Sequence, residues 1–245
     1  MTIIKGVLKE KALLYLKQNK SLNQISKELK LNKTTVYYWY KKLGKSRVIK
    51  INVKNVGDNE LTGEFMGIFA GDGDYHLSKV YHHNITISLD SRDIKYINHV
   101  KLLISELFSK NPYVYMRKDQ NEASVRMRSK DIYLLIKNYL SWNGRKSHSV
   151  CLKNDIKIYS KKFLKGFIRG LFDTDGFIDR NKSRAIFGTV SECLSRNVEE
   201  TLGLFKIDYK KNIRIDKRGN RKPLILIEIS RNHVNKFFNL IEPMH

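Results

Sequence analysis

Two stretches of this chain repeat one another 103 residues apart, and that repeat constrains the fold more than any other feature. FMGIFAGDG at 65–73 runs parallel to IRGLFDTDG at 168–176; Gly67 and Gly170 are 103 apart, as are Asp72 and Asp175. Further on, RMRSKDIYLLIKNYL at 126–140 parallels IEISRNHVNKFFNLI at 227–241, with Ser129 and Ser230 101 apart. A period near a hundred residues is the duplication of a whole folding unit; solenoids repeat every 20–50 residues or so. Two like halves imply a pseudo-twofold molecule, a monomer acting as a pseudo-dimer.

Each half reads alike. A glycine-bearing helix ends in Asp-Gly. Two β-prone runs follow, at 75–81 and 84–89, then at 176–179 and 184–190. A helix comes next, at 94–108 or 194–204, then two more β runs, at 113–118 with 124–128 and at 209–215 with 224–229. A last helix closes the half. The expected fold is therefore α+β, with two αββαββα halves. The strands alternate: Val125 and Met127 face one way, Arg126 and Arg128 the other, which makes a sheet with an apolar back and a basic front; a salt-bridged antiparallel surface fits the local pattern equally well. Arg117, Arg126 and Arg128 in the first half, and Arg180, Arg184, Lys210 and Arg214 in the second, are the candidate DNA contacts there.

Charge says what that front meets. The net charge is +23, and residues 1–56 hold 14 Lys+Arg against 2 Asp+Glu, so a quarter of the chain carries about half of it. Basic surface of this density neutralises phosphates and releases counterions, which favours nucleic acid as partner. No apolar run approaches the ~20 residues of a membrane span. MTIIKGVLKEK is charged every few residues, unlike a signal peptide, so an intracellular site (cytoplasm, nucleoid or organelle) without secretion is expected. Cys151 and Cys193 stand outside any CxxC pair and read as two buried thiols; no Cys/His cluster has zinc spacing.

The charge shift places a boundary near 45–59, giving an N-terminal module at 1–46, a linker at 47–59 and halves at 60–155 and 156–245. In the module, Ile4, Val7, Leu8, Leu14 and Leu16 suggest a first helix. Ser21 can cap a second, with Leu22, Ile25, Ser26 and Leu29 inward, and Asn32 a third, with Val36, Tyr40 and Leu43 inward. SLNQISKELKLNKTTVYYWYKKL resembles a resolvase-type helix-turn-helix, departing at Lys30, where the turn usually carries Gly. Lys33, Thr34, Thr35, Tyr37, Tyr38 and Lys41 on the third helix suit phosphate and base-edge contact; a plain three-helix bundle that does not touch DNA is the other reading.

The repeated helix carries the chemistry. Gly63, Gly67 and Gly71 are spaced by four and share one face, as do Gly166, Gly170 and Thr174. Interior glycine costs roughly 0.5–1 kcal/mol relative to Ala, which close approach of two helix backbones would offset; an ordinary core position is the other reading. Close packing would bring Asp72 and Asp175 together at two helix C-termini, with Gly73 and Gly176 as natural stops. Two carboxylates ~5 Å apart at an effective dielectric of ~20 repel by about 3 kcal/mol, and the helix dipoles oppose them further. A divalent cation removes both problems, and oxygen ligands on a duplex-binding protein point to Mg²⁺. A Ca²⁺ loop at Asp173–Gly176 is excluded, because its Gly falls fourth where an EF-hand needs it sixth.

FMGIFAGDG and IRGLFDTDG resemble two copies of the LAGLIDADG motif of homing endonucleases. The second is close; the first has Ala70 at the motif's earlier Asp and keeps the later one, Asp72. Over residues 60–245 the resemblance implies a single-chain enzyme whose sheets saddle DNA and whose motif helices pack at the interface. It implies metal held by Asp72 and Asp175 with the carbonyls of Gly71 and Thr174, and a double-strand break across the minor groove. The family also places a basic residue in the loop after each half's last helix. SWNGRKSHS at 141–149 offers Lys146, with Arg145 as the alternative. In the second half only 242–245 follow the last helix, without a counterpart. The leading expectation is a site-specific, metal-dependent double-stranded DNA endonuclease. A catalytically weak DNA-binding or regulatory protein, or an intron RNA maturase, are alternatives on the same scaffold.

Overall fold

The computed structural model describes residues 2–18, 20–42, 56–79, 81–117, 119–179, 181, 183–215 and 222–244. The chain divides into two compact units, residues 1–50 and 51–245.

The first unit contains α1 (Thr2–Lys17), α2 (Leu22–Glu28) and α3 (Lys33–Lys42). Its core is Ala12, Leu16, Leu22, Ile25, Leu29 and Val36, with Leu8, Leu31, Trp39 and Tyr40 packed against it. The i, i+4 stripe through Leu8, Ala12 and Leu16 faces inward, so Val7 and Leu14 lie off it and are exposed. Leu43 and the linker segment 47–55 lie outside the described residues. Ser21 and Gln24 form a reciprocal capping box on α2: the Ser21 hydroxyl accepts from Gln24 N at 3.2 Å, and Ser21 N donates to Gln24 Oε1 at 2.9 Å.

The turn after α2 is a Schellman motif. Leu31 N donates to Ser26 O and Lys30 N to Lys27 O, with Lys30 in the left-handed region at φ 49°. Here the helix-turn-helix pattern asks for Gly, and the chain tolerates a Cβ instead. Lys30→Gly is expected to raise the stability of this unit by about 0.5–1 kcal/mol, and Lys30→Val to lower it. Urea titration of the full chain, followed by Trp39 fluorescence, reads both; a loss of stability in Lys30→Gly would show that the lysine side chain matters more than its backbone.

The second unit runs α4 (Glu60–Asp72), β1 (Gly73–Leu77), β2 (His83–Asp90), α5 (Ile94–Phe108), β3 (Tyr113–Arg117), β4 (Glu122–Arg128) and α6 (Lys130–Tyr139). A short hairpin, β5 (Leu140–Ser141) with β6 (Cys151–Leu152), precedes the second half. That half is α7 (Lys161–Asp175), β7 (Gly176–Ile178), β8 (Ala185–Thr189), α8 (Glu192–Leu204), β9 (Tyr209–Arg214), β10 (Leu224–Ile229) and α9 (Val234–Ile241). Each half is αββαββα, and its antiparallel sheet has the same order, β1-β2-β4-β3 or β7-β8-β10-β9. Strand alternation buries Ile85, Ile87, Val125 and Met127 in one sheet and Phe187, Ile225, Ile227 and Ile229 in the other.

Side-chain caps start the helices: Asn59 accepts from Thr62 N, Asp93 from Tyr96 N, Ser129 from Ile132 N, Ser160 from Phe163 N and Ser191 from Leu194 N. Ser230, the repeat partner of Ser129, opens a 3-10 turn instead, before α9 begins.

Two expectations need correction. Gly73 and Gly176 are not left-handed stops; their φ/ψ of −79°/145° and −90°/157° are extended, so each motif helix passes straight into a strand. Glycine is needed there because a Cβ would meet Phe69 O at 2.5 Å and Phe172 O at 2.2 Å. Cys151 and Cys193 are not separate thiols: they form a disulfide with a Cα–Cα distance of 5.4 Å, tying β6 to the first turn of α8. Pairing across 42 residues depends on tertiary approach, which no local pattern encodes. Among the described residues no helix is long and apolar enough to cross a membrane.

Candidate active site and nucleic-acid interface

The motif helices α4 and α7 pack backbone to backbone. A Cβ on Gly63 would fall 1.9 Å from Phe163 O, and one on Gly67 would fall 2.2 Å from Phe167 O. From the other side, a Cβ on Gly166 would meet Glu60 O at 2.0 Å and one on Gly170 would meet Glu64 O at 2.3 Å. The glycine faces thus meet each other, where an ordinary core position would have left them facing side chains. At the helix ends, a Cβ on Gly71 would stand 2.1 Å from Thr174 Oγ1 and 3.1 Å from Asp175 Oδ2.

This packing brings Asp72 and Asp175 into mutual influence. Lost hydration, and then the charge of Asp175, push the Asp72 carboxyl up to about 7 against the pull of Lys146. Asp175 is also raised by lost hydration, with Lys146 opposing. Asp175 is the more solvent-exposed of the two, so the pair sits at the mouth of a packed site rather than sealed within.

Lys146 reaches this site from the β5–β6 hairpin. Its Nζ donates to the carbonyls of Phe69 (2.8 Å), Ala70 (2.7 Å) and Gly71 (2.7 Å), occupying all three ammonium protons. The amine caps α4, complements its dipole and places a cation beside two carboxylates. Burial lowers its pKa to about 8, while Asp175, Asp72 and Asp74 pull upward. Arg145, the other candidate, precedes the 3-10 turn of Lys146–His148.

The paired carboxylates suit a hard divalent cation, while the α4-end carbonyls of Phe69, Ala70 and Gly71 are held by Lys146. Among the described residues no three His, Cys, Asp or Glu side chains cluster as a complete metal cage.

The strand candidates share the solvent faces of the sheets. Arg126 lies opposite Thr86 and Tyr113, Arg128 opposite Asn84, and Arg117 opposite Glu122. Arg126 stacks 4.8 Å from the Tyr115 ring centroid, and Arg128 Nε donates to Asn84 Oδ1 at 3.2 Å. In the second sheet Lys210 lies opposite Glu228 and Arg214 opposite Leu224; Arg184 pairs with Glu228 at 2.5 Å. Arg180 lies outside the described residues. On α3, Lys33, Thr34, Tyr37 and Tyr38 are exposed and Thr35 is half-buried; the Lys41 side chain lies outside the description.

A buried ionic cluster escaped the sequence reading. Glu64, 1 % exposed, bonds His99 Nε2 and accepts from Arg169 at 3.2 Å. Arg169 also binds Glu60 at 2.6 Å, Glu242 at 3.2 Å and the Ile241 carbonyl at 2.8 Å. Asp173 accepts from Met244 N at 2.8 Å, and burial raises its pKa to about 7. This cluster joins the motif helices to the tail after α9. Its one signal in the sequence is a charge inside each motif helix, Glu64 and Arg169, at positions that the glycine period places near the interface.

Residues 162–242 match the model of the LAGLIDADG-like domain. An uncharacterized protein of Methanocaldococcus jannaschii is 25% identical over 173 residues, covering 68% of this chain. The chain spans 59% of that curated relative's length. Among solved structures, the homing endonuclease I-DmoI in complex with DNA and Mn is similar with a TM-score of 0.57 and 17% identity, over 77% of this chain and 99% of that one. The N-terminal LAGLIDADG domain of DUF199/WhiA is similar with a TM-score of 0.51 and 16% identity, over 80% and 94%. These likenesses establish the fold of the two halves.

Proposed function

We propose, from a chain that carries a LAGLIDADG-like domain at 162–242 within a duplicated LAGLIDADG fold, a site-specific, Mg²⁺-dependent endonuclease of double-stranded DNA. The observation that carries this reading is the glycine-to-glycine crossing of α4 and α7, which sets Asp72 and Asp175 side by side where the two sheets begin. A crossing this tight, at the cost of like-charge repulsion, is explained by a cation shared between the carboxylates.

In this reading Asp72 and Asp175, with the carbonyl of Thr174, hold the cation; the Gly71 carbonyl, the fourth ligand that the sequence suggested, is taken by Lys146 Nζ at 2.7 Å and is free for a metal only once the amine has moved away. Bound Mg²⁺ supplies Lewis acidity for hydrolysis of the phosphodiester. The protein's own contributions are orientation and charge. The sheets fix the duplex, and α4 and α7 present the carboxylates to the backbone from one side. Lys146 keeps the end of α4 in place and offsets negative charge; with three carbonyls on its three protons it must release one before it can touch a phosphate. Lys146→Ala is expected to slow single-turnover cleavage by about 10–100-fold with duplex affinity nearly unchanged. Lys146→Arg should recover little, because a planar guanidinium cannot point three protons at one helix end. Cleavage at the wild-type rate in Lys146→Ala would remove this residue from the site.

Duplex binding without cutting is the second reading, favoured by the same observation that every Lys146 proton is already engaged. The deciding experiment exposes a randomised duplex library to the protein with Mg²⁺ and sequences both bound and cut molecules. Cut products at one site support the nuclease; specific binding with no cutting under any divalent metal supports the second reading.

The N-terminal unit acts here as a helix-turn-helix with α3 as its reading helix. Deleting residues 1–56 removes 14 Lys+Arg and 2 Asp+Glu. Weaker binding, a shallower salt dependence and a shorter footprint are expected, with the remaining unit folded. An unchanged footprint would leave this unit no part in recognition.

A further inference from the structure

The solvent faces of the two sheets are built in the same register from opposite chemistry. In the first sheet Asp74 lies opposite Thr86, Thr86 opposite Arg126 and Ser88 opposite Ser124. In the second, Phe177 lies opposite Ile186, Ile186 opposite Glu228 and Gly188 opposite Leu226. Gly73 pairs with Ile87, and Gly176 with Phe187, which makes the positions equivalent. Four hydrogen-bonding residues, Asp74, Thr86, Ser88 and Ser124, thus correspond to Phe177, Ile186, Gly188 and Leu226. Leu226 and Leu224 lean over Gly188, 3.3 and 3.7 Å from where a Cβ would stand. The result is an apolar strip on a sheet face turned to solvent, with Phe177 56% exposed and Leu224 36% exposed. Cations flank it: Lys210 and Arg214 on β9, and Arg184 beside β8, the last paired with Glu228 on the same face.

An apolar strip bordered by cations matches an anionic surface with methyl groups at its centre. In the major groove of DNA, only the thymine C5-methyl offers an apolar group to an incoming side chain. Resting on the duplex-DNA reading above, we infer that the two halves read their target by different chemistry. The first sheet reads donors and acceptors, guanine through Arg126 or Arg128 and adenine through Asn84. The second sheet reads thymine methyls through Ile186, Leu226 and Phe177. The target is therefore asymmetric, with a G-containing half-site and a thymine-rich one.

The test uses the full chain in EDTA, so that duplex is bound and not cut. A binding sequence is first selected from a random library. Arg126→Ala and the double variant Ile186→Thr/Leu226→Ser, which restores first-sheet chemistry, then show by relaxed preference which half-site each sheet faces. Deoxyuridine next replaces thymidine in one half-site at a time, deleting the methyl and keeping every hydrogen bond. The expected result is about 3–10-fold weaker binding per contacted thymine in the second half-site, and less than about 2-fold in the first, in line with burial of one methyl group. The penalty should vanish in Ile186→Thr/Leu226→Ser, whose melting temperature checks that the fold is intact. An equal penalty in both half-sites, or none, overturns the inference and leaves the DNA reading standing. Failure to select any duplex overturns the DNA reading and the inference with it. A free-protein dimer that the double variant dissociates also overturns the inference, because a second copy then covers the strip.

Discussion

Asp72→Asn and Asp175→Asn are each expected to reduce duplex cleavage by on the order of 10³-fold or more, with duplex affinity retained or improved. Each variant removes a proposed cation ligand and one partner of a crowded like-charge pair, and neither removes a contact from the sheet faces. The same substitution has a stability signature that needs no substrate. The Asp72 carboxyl is held at about 7 in the folded protein, against 3.8 ordinarily. Between those values the folded chain keeps a proton that the unfolded chain has lost, so stability falls as pH rises through this window and the penalty is complete above about 7. Asn carries no such penalty. Asp72→Asn should therefore melt higher than the parent without metal at pH 8, by a few degrees if roughly 1 kcal/mol is relieved, and the gap should close toward pH 4. Added Mg²⁺ should narrow it at pH 8 by stabilising only the parent. Near-parental cleavage by either variant with Mg²⁺ would sink the assignment of the cation site.

Gly67→Ala and Gly170→Ala should each cost about 3–5 kcal/mol, among the largest single-site losses available to this fold. A Cβ at Gly67 would come within 3.0 Å of Leu171 N as well as meeting Phe167 O, and one at Gly170 would meet Ile68 N at 2.6 Å. Backbone cannot swing aside as a side chain can, so α4 and α7 must separate. Separation strips contact from Phe65, Ile68, Phe167 and Leu171, all fully buried. It also moves Asp72 and Asp175 apart, so cleavage should fall even at temperatures where the variants stay folded. Gly203→Ala is the control: nothing lies within 4 Å of its Cβ, and a helical position of this kind gains a few tenths of a kcal/mol or more from alanine. Denaturant titrations of the three variants decide the matter. Losses under 1 kcal/mol at Gly67 and Gly170 would mean that the helices are not held at backbone contact.

What could be read in advance was periodic, and what could not was long-range. Glycines every four residues and carboxylates one duplication apart placed the motif helices and their ends, because helix period and repeat spacing are both local arithmetic. Alternation put Arg126 and Arg128 opposite Val125 and Met127 for the same reason. The first helix went astray at Val7 and Leu14, since its stripe runs through Ala12, a residue too small to stand out as core. The Cys151–Cys193 bond, the grip of Lys146 on three carbonyls and the Glu64–Arg169–Glu242 cluster each join residues 42 or more apart; beyond the charges of Glu64 and Arg169 inside the motif helices, no pattern along the chain announces these partners. The apolar front of the second sheet was in plain view at Ile186, Leu224 and Leu226, but its face is known only from strand register. Register flips with a single-residue slip.

Because α4 runs into β1 and α7 into β7 with no loop between, each half carries its carboxylate and the sheet face proposed to read bases on one stiff segment. Such a half works like a gauge block. If the chain is the nuclease proposed above, where the duplex is gripped fixes where the backbone is cut, and no change on a strand face adjusts one without the other. New targets are then reached by repainting the faces of strands, residue by residue, while the offset between recognition and scission stays constant. A whole half could be exchanged for that of a relative and bring its own offset with it. An inserted residue at Gly73 or Gly176 would do what no surface substitution can, shifting the cut along the duplex while the grip is unchanged.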